Sequence, residues 1–305
     1  MRMRPLGAHG PELSVIGLGA WEAGGDAWGA NPADEEVVRA FHAGFDAGIT
    51  WVDTAEVYGK GVSERLVGAA LVGRRDDLVV ATKVGPSPEG TGFRPEQVRA
   101  ACDASLGRLG IDAIDVYQLH WPDETGVPVE ETWGAMAELV TAGKVRDIGV
   151  SNFDQDLLER CLPIHHVASL QQEFSMLALE DRALIRWCGE AGIGVVTYSP
   201  LGVGFLSGRY TRAEAERIDD WRSREGWTAP EQLDEVFRVV DGLRPIAERE
   251  EISMGELALA WNIAQPGVTA AITGSRSGEH LRANAAAGDR VIEQGVLDEI
   301  EALLA

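Results

Sequence analysis

The stretch ITWVDTAEVYGKGVSERLVG (residues 49–68) holds one full structural period of the chain. A short apolar run ends at Asp53, a turn broken by Gly59 and Gly61 follows, and then comes a segment of helical character. The pattern predicts a strand, a loop and a helix. It also puts a carboxylate at the strand end and the phenol of Tyr58 five residues beyond.

Reading outward from it, the same period recurs. LSVIGLG (13–19), ITWVD (49–53), LVVATK (78–83) and IDVYQLH (114–120) are strand candidates. They continue with VRDIGVSN (145–152), VASLQQE (167–173), IGVVTYS (193–199) and VTAAIT (268–273), and a helical stretch separates each pair. Most of these runs are apolar nearly throughout, as a parallel sheet covered on both faces requires. The helix expected over 129–142 places Trp133, Met136, Ala137 and Val140 on one face, with Gly143 as its stop. Pro95 and Pro230 stand where first-turn prolines belong, and Ser253 with Glu256 predicts a capping box.

Eight strand–helix units predict a (β/α)8 TIM barrel, one domain over residues 1–305. A doubly wound sheet is the rival, but GLGAWEAGG (17–25) lacks the G-x-G-x-x-G phosphate fingerprint after the first strand. Two long connections follow strands one and seven, at 21–34 and 202–230. An additional amphipathic helix is expected over 292–304.

The chain has 305 residues, 45% of them hydrophobic, enough for a large core without disulfides or metals. Its formal net charge of -22 argues against a nucleic-acid partner, which would require a basic patch. Lys60, Lys83 and Lys144 are the only lysines. High-salt adaptation, or coding bias with an acidic surface for solubility, would each account for this. Cys102, Cys161 and Cys188 lie within apolar helical patterns and are expected to be buried thiols in a reducing compartment. The N-terminus has no long apolar segment, and no run of about 18 apolar residues occurs. The expectation is a soluble cytoplasmic protein with no membrane partner.

In TIM barrels the site lies at the C-terminal ends of the strands. Those ends carry Asp53 with Tyr58 beyond it, Lys83, His120, Ser151 and Asn152, Gln172 and Glu173, Tyr198 and Ser199, and then Gly274, Ser275 and Arg276. Each has a bland alternative as a cap, a packing residue or a surface charge. Lys83, however, follows the apolar run LVVAT and needs a counter-charge, which Asp53 on the neighbouring strand can supply. A nearby ammonium is expected to lower the pKa of Tyr58, and His120 could hydrogen-bond a substrate oxygen. Together these groups suit general acid catalysis of carbonyl reduction by a hydride donor.

At this point the chain resembles the aldo-keto reductases. The matching stretches, in order, are GITWVDTAEVYGKGVSERLVG, VVATKVG, DVYQLHWPD, GKVRDIGVSNF, QQEFSML, VVTYSPLGVGFLSGRY and AAITGSRSGEHLRAN. The resemblance implies a nicotinamide cofactor, usually NADPH with NADH possible, and a catalytic tetrad of Asp53, Tyr58, Lys83 and His120. It assigns Ser151, Asn152 and Gln172 to the carboxamide and Tyr198 to stacking on the nicotinamide. Gly19, Ala20 and Trp21, after the first strand, belong to the same cofactor site. Ser199, Pro200, Leu201, Gly204, Leu206 and Gly208 fall on the pyrophosphate-side loop. Gly274, Ser275, Arg276, His280 and Asn284 fall at the adenosine end, with Arg276 suited to a 2′-phosphate. Position 280 departs from the pattern, with His where Gln is more common.

The tryptophans and Phe205 on the post-strand loops form an apolar group, and Trp21, Trp28, Trp121 and Phe205 are the substrate-pocket candidates. Trp221 and Trp227 lie on the same set of loops. The pair His165–His166 precedes strand six, at the opposite barrel end, and no Asp, Glu or Cys shows ligand spacing beside it. A metal is therefore not expected. Besides NADPH-dependent reduction of aldehydes and ketones, with the reverse alcohol oxidation, two readings stay open. One is a Schiff-base aldolase acting through Lys83. The other is a cofactor-sensing regulatory subunit with little turnover.

Overall fold

The computed structural model describes residues 1–25, 27–29, 32–85 and 93–305. Of the connection after the first strand, residues 26, 30 and 31 lie outside this set.

An antiparallel hairpin opens the chain, β1 (Met3–Pro5) with β2 (Glu12–Ser14). Eight parallel strands follow: β3 (Ile16–Gly19), β4 (Trp51–Asp53), β5 (Val79–Val84), β6 (Ile114–Leu119), β7 (Val145–Ser151), β8 (Ser169–Glu173), β9 (Gly194–Tyr198) and β10 (Val268–Gly274). They close into a barrel in chain order, with β10 pairing both β9 and β3. All eight strand expectations correspond to barrel strands. The first is divided, however. Its start, Leu13 and Ser14, belongs to the hairpin, and only Ile16–Gly19 enters the barrel.

The hairpin closes the barrel floor. Leu6 and Leu13 pack against the inward-facing Trp51, Ala81, Val116, Val196 and Ala270. Strand alternation then carries the next inward layer to Asp53, Lys83 and Gln118, two residues further along β4, β5 and β6. Trp51 fills the axis, and its indole N–H donates to the Ser14 carbonyl at 2.8 Å. The ring lies where Gly17 would carry a side chain, since a Cβ there would meet it at 2.1 Å. Gly17→Ala is therefore expected to overpack this layer and destabilise by about 1–3 kcal/mol, read as a lower urea midpoint at unchanged m-value. An unchanged midpoint would mean that the layer can yield.

The helix Val129–Thr141 buries Trp133, Met136 and Leu139, while Ala137 and Val140 are only half-buried, so its buried face is turned slightly from the expected one. Gly143 follows it at φ 72°, and Pro95 and Pro230 open their helices. The Ser253–Glu256 capping box forms. The connection 202–230 is not an open loop. It folds into a 3-10 turn (Gly202–Ser207) and two short helices, Arg212–Ala215 and Trp221–Arg224. The additional helix spans Gln294–Leu304.

Cys102, Cys161 and Cys188 are free and buried, and burial pushes each thiol up to about 12. His165 and His166 lie near His9 of the hairpin turn, with the His9 and His166 rings 5.1 Å apart. Among the described residues no helix is long and apolar enough to cross a membrane.

Candidate active site

A cleft of roughly 1320 Å3 opens at the C-terminal end of the barrel. At its floor, Lys83 is fully buried and its ammonium has three partners. They are Asp53 Oδ1 at 2.5 Å, the Thr54 carbonyl at 3.0 Å and the Tyr58 hydroxyl at 3.1 Å. The other Asp53 oxygen accepts from the carboxamides of Gln171 at 2.9 Å and Gln118 at 3.3 Å. Asp53 thus lies near the barrel axis, held from three strands. Strand pairing explains the convergence, since Asp53 is in register with Ala81, two residues before Lys83, and Lys83 with Gln118.

The loop from Asp53 to Tyr58 is tied back by hydrogen bonds from Thr54 and Glu56 N–H to the carbonyls of Ala81 and Lys83. Gly59, at φ 58°, abuts Gly24 so closely that a Cβ would meet the Gly24 carbonyl oxygen at 2.2 Å. This close approach is what seats the phenol over the ammonium. The His120 ring stands edge-on to Tyr58 at 5.5 Å and stacks on Trp121 at 3.6 Å.

Burial pushes the Tyr58 phenol up, and the Lys83 ammonium only partly offsets it. The expectation of a lowered phenol pKa is therefore corrected, because desolvation outweighs the cation. Burial alone would depress Lys83, but Asp53 and Tyr58 more than compensate and hold it above the ordinary lysine value. Burial, reinforced by Lys83, holds His120 well below the ordinary imidazole value, so it is neutral. The floor accordingly carries a protonated phenol, an ammonium and a neutral imidazole, an arrangement able to pass a proton into the cleft. An ammonium with three hydrogen-bond partners is a poor carbonyl nucleophile, which weighs against a Schiff base at Lys83.

Most of the other sequence candidates line the same cleft. At the floor end are Gly19, Trp21, Ser151, Asn152 and Tyr198, with the Tyr198 hydroxyl donating to Asn152 Oδ1 at 2.9 Å. Ser199, Pro200, Leu201 and Gly204 line one wall, and Gly274, Ser275, Arg276, His280 and Asn284 the far end. Five non-glycine residues among those described have positive φ, and three of them, Asn152, Ser199 and Val203, are cleft residues. Such strain gathers where surrounding structure holds a site.

Apart from Lys83 beneath it, five candidates lie outside the cleft lining. Gln172 points out of the barrel, because β8 alternates, and donates to Asp181 at 2.7 Å; Gln171 is the residue that faces in. Ala20 is buried, its backbone tied to Asp53 and Ser63. Phe205 and Leu206 are core of the post-β9 segment, Phe205 packing on Tyr210 and Trp227. Gly208 ends the 3-10 turn against Met254 and lies outside the cleft lining.

Trp28 and Trp121 line the cleft. Trp21 and Trp28 meet Trp221, from the segment after β9, at ring distances of 5.0 and 5.3 Å. These three indoles form an aromatic wall beside Tyr58. Arg276 donates to the carbonyls of Trp28 at 2.8 Å and Gly29 at 3.2 Å, joining the loops after β10 and β3. Gln118, Gln171 and Glu22 were not singled out from sequence. For the two glutamines, inward alternation along β6 and β8 was the available signal.

The family model for the aldo/keto reductase family matches residues 15–305. An aldo-keto reductase of Strobilurus tenacellus is 36% identical over 266 residues, covering 85% of this chain and 78% of that protein. A probable aldo-keto reductase of Glycine max is 33% identical over 286 residues, covering 92% of this chain and 82% of that protein. Among solved structures, a glycerol dehydrogenase from Gluconobacter oxydans superposes with a TM-score of 0.89 at 29% identity, covering 99% of this chain and 94% of that one. An aldo/keto reductase from Klebsiella pneumoniae, solved with NADP and acetate, superposes with a TM-score of 0.76 at 33% identity, covering 96% and 92%. With this match along nearly all of its length, the chain belongs to the aldo/keto reductase family.

Proposed function

We propose that the chain is an NADPH-dependent reductase of aldehydes and ketones, able to run the reverse alcohol oxidation. The observation that carries this reading is the contact chain Asp53–Lys83–Tyr58 at the floor of the cleft. When bound, NADPH supplies the hydride. The cleft volume of roughly 1320 Å3 exceeds the usual single-ligand range of about 300–1,000 Å3, leaving room for a dinucleotide and a carbonyl compound together.

Ser151, Asn152 and Gln171 would hold the nicotinamide carboxamide, and the Tyr198 ring would lie against the nicotinamide. Ser199 to Gly204 would pass along the pyrophosphate. Arg276, His280 and Asn284 would meet the adenosine end, with Arg276 on a 2′-phosphate. His120 would orient the carbonyl oxygen as a neutral hydrogen-bonding group, and Tyr58 would protonate that oxygen as it becomes an alkoxide. Lys83, held by Asp53, would stabilise the phenolate left behind. Trp21, Trp28 and Trp121 would supply the apolar wall that shields the reacting carbon from water.

Titration with NADPH and with NADH, followed by tryptophan fluorescence, tests the cofactor assignment. NADPH is expected to bind more tightly than NADH. Arg276→Ala is expected to weaken NADPH about 10-fold or more by removing a charge-assisted contact, with little change for NADH. No binding of either nucleotide would overturn the proposal. Tight NADPH binding with no turnover across a carbonyl panel would instead favour the regulatory-subunit reading.

A further inference from the structure

Glu22 follows Trp21 directly, on the short 3-10 turn Glu22–Gly24 after β3, and lines the cleft beside Gly274. Part of the residue is exposed, but Oε2 is buried and has no hydrogen-bond partner among the described residues. An unpartnered buried carboxylate oxygen is disfavoured, so its presence asks for an explanation. Gly274 is shaped around it. A Cβ at position 274 would stand 2.6 Å from Oε2 and 3.0 Å from Oε1, so the glycine makes room for the carboxyl. Burial raises the Glu22 carboxyl to about 7, although the Arg276 charge pulls the other way. Acid and carboxylate forms therefore coexist near neutrality.

Among the described residues, the charge acting on Glu22 is that of Arg276, from the loop after β10. The Tyr58–Gly59 backbone abuts the same turn at Gly24, and the Tyr58 phenol is neutral. Helix Val62–Leu71 also packs on the turn, but its Glu64 is bonded to Thr82 and Arg108. His280, on helix Gly278–Ala287, is another titratable group at this end of the cleft.

We propose that Glu22 couples dinucleotide binding to proton uptake, receiving the incoming phosphate as the neutral acid at the Gly274 end of the cleft. This rests on the nucleotide reading of the cleft. A phosphate brought to the Gly274–Arg276 end adds negative charge beside the carboxyl and disfavours its ionised form. The sign is set by linkage. Binding raises the Glu22 pKa, so affinity is full below the free value and falls as pH rises through and above it. The neutral acid also turns an acceptor into an O–H donor for the incoming phosphate oxygen.

The test is calorimetric titration of the full chain with NADPH and with NADH at pH 7.5, in two buffers of different ionisation enthalpy. A nucleotide 2′-phosphate is already largely ionised at that pH. The expected result for the wild type is uptake of roughly 0.5–1 proton, with Kd weakening about tenfold from pH 7 to pH 8.5. In Glu22→Gln the uptake should vanish and the pH dependence flatten, and in His280→Gln both should persist. Uptake with NADPH alone would assign the effect to the 2′-phosphate, and uptake with both nucleotides to the pyrophosphate. Tight binding with no uptake by the wild type, or with uptake that Glu22→Gln leaves intact, would overturn the inference and leave the reductase reading standing. Failure of the wild type to bind either nucleotide would sink both. The wild-type measurement alone can refute the idea if the variant does not fold.

Discussion

Tyr58→Phe is expected to lower kcat for every carbonyl substrate by about 10²–10⁴-fold while leaving nucleotide affinity unchanged. The substitution deletes one hydroxyl and little else. Lys83 keeps Asp53 at 2.5 Å and the Thr54 carbonyl at 3.0 Å, so the charged floor survives. What disappears is the group placed 3.1 Å from that ammonium and open to the cleft. Burial pushes the phenol up, which suits a donor in the reductive direction, because it keeps its proton until a stronger base forms. The same shift predicts a wild-type kcat, at saturating nucleotide, that is flat through neutral pH, since Tyr58 stays protonated and His120 stays neutral there. Steady-state kinetics on an aldehyde panel, with nucleotide binding measured on the same preparations, checks both. A Phe variant retaining most of its kcat would remove Tyr58 as the proton donor and leave His120 or a water in that role.

The barrel was legible because its strands are short apolar runs punctuated by glycines and helical patterns, a signal that survives without tertiary information. The N-terminal hairpin was not. Each of its strands is three residues long, too short to show alternation, and Leu13 merges with the apolar run of β3. The four floor residues were legible because charged and phenolic groups at the ends of apolar strands are out of place unless something uses them. Gln171 was missed in favour of Gln172 because two identical neighbours can be separated only by which face of β8 points inward. The direction of the Tyr58 shift was misjudged for a related reason. Sequence shows that a lysine is near, but the depth of burial belongs to the closed barrel. Glu22 carries no sequence signal at all, since its buried Oε2 depends on Gly274, about 250 residues away in the chain.

Lys83→Met and Asp53→Asn are each expected to destabilise the fold by about 3–5 kcal/mol, because each strands a charge, or its unmet acceptor, inside the barrel. Asp53 is 3% exposed and Lys83 fully buried, so solvent cannot screen what is left behind. In Lys83→Met the carboxylate keeps only the Gln118 and Gln171 carboxamides. The double variant removes both charges at once and is expected to recover most of the loss, since a buried ion pair contributes little net stability over an apolar replacement. A double-mutant cycle from urea midpoints measures the coupling directly. Additive losses would show that the two residues are not a mutually compensating pair, despite their contact. Activity should separate from stability in the same cycle. If Lys83 steadies the Tyr58 phenolate, the refolded double variant remains inactive, because no cation faces the phenol. If turnover returns along with stability, Lys83 serves only to hold the barrel together, and the proton chemistry belongs to Tyr58 and His120 alone.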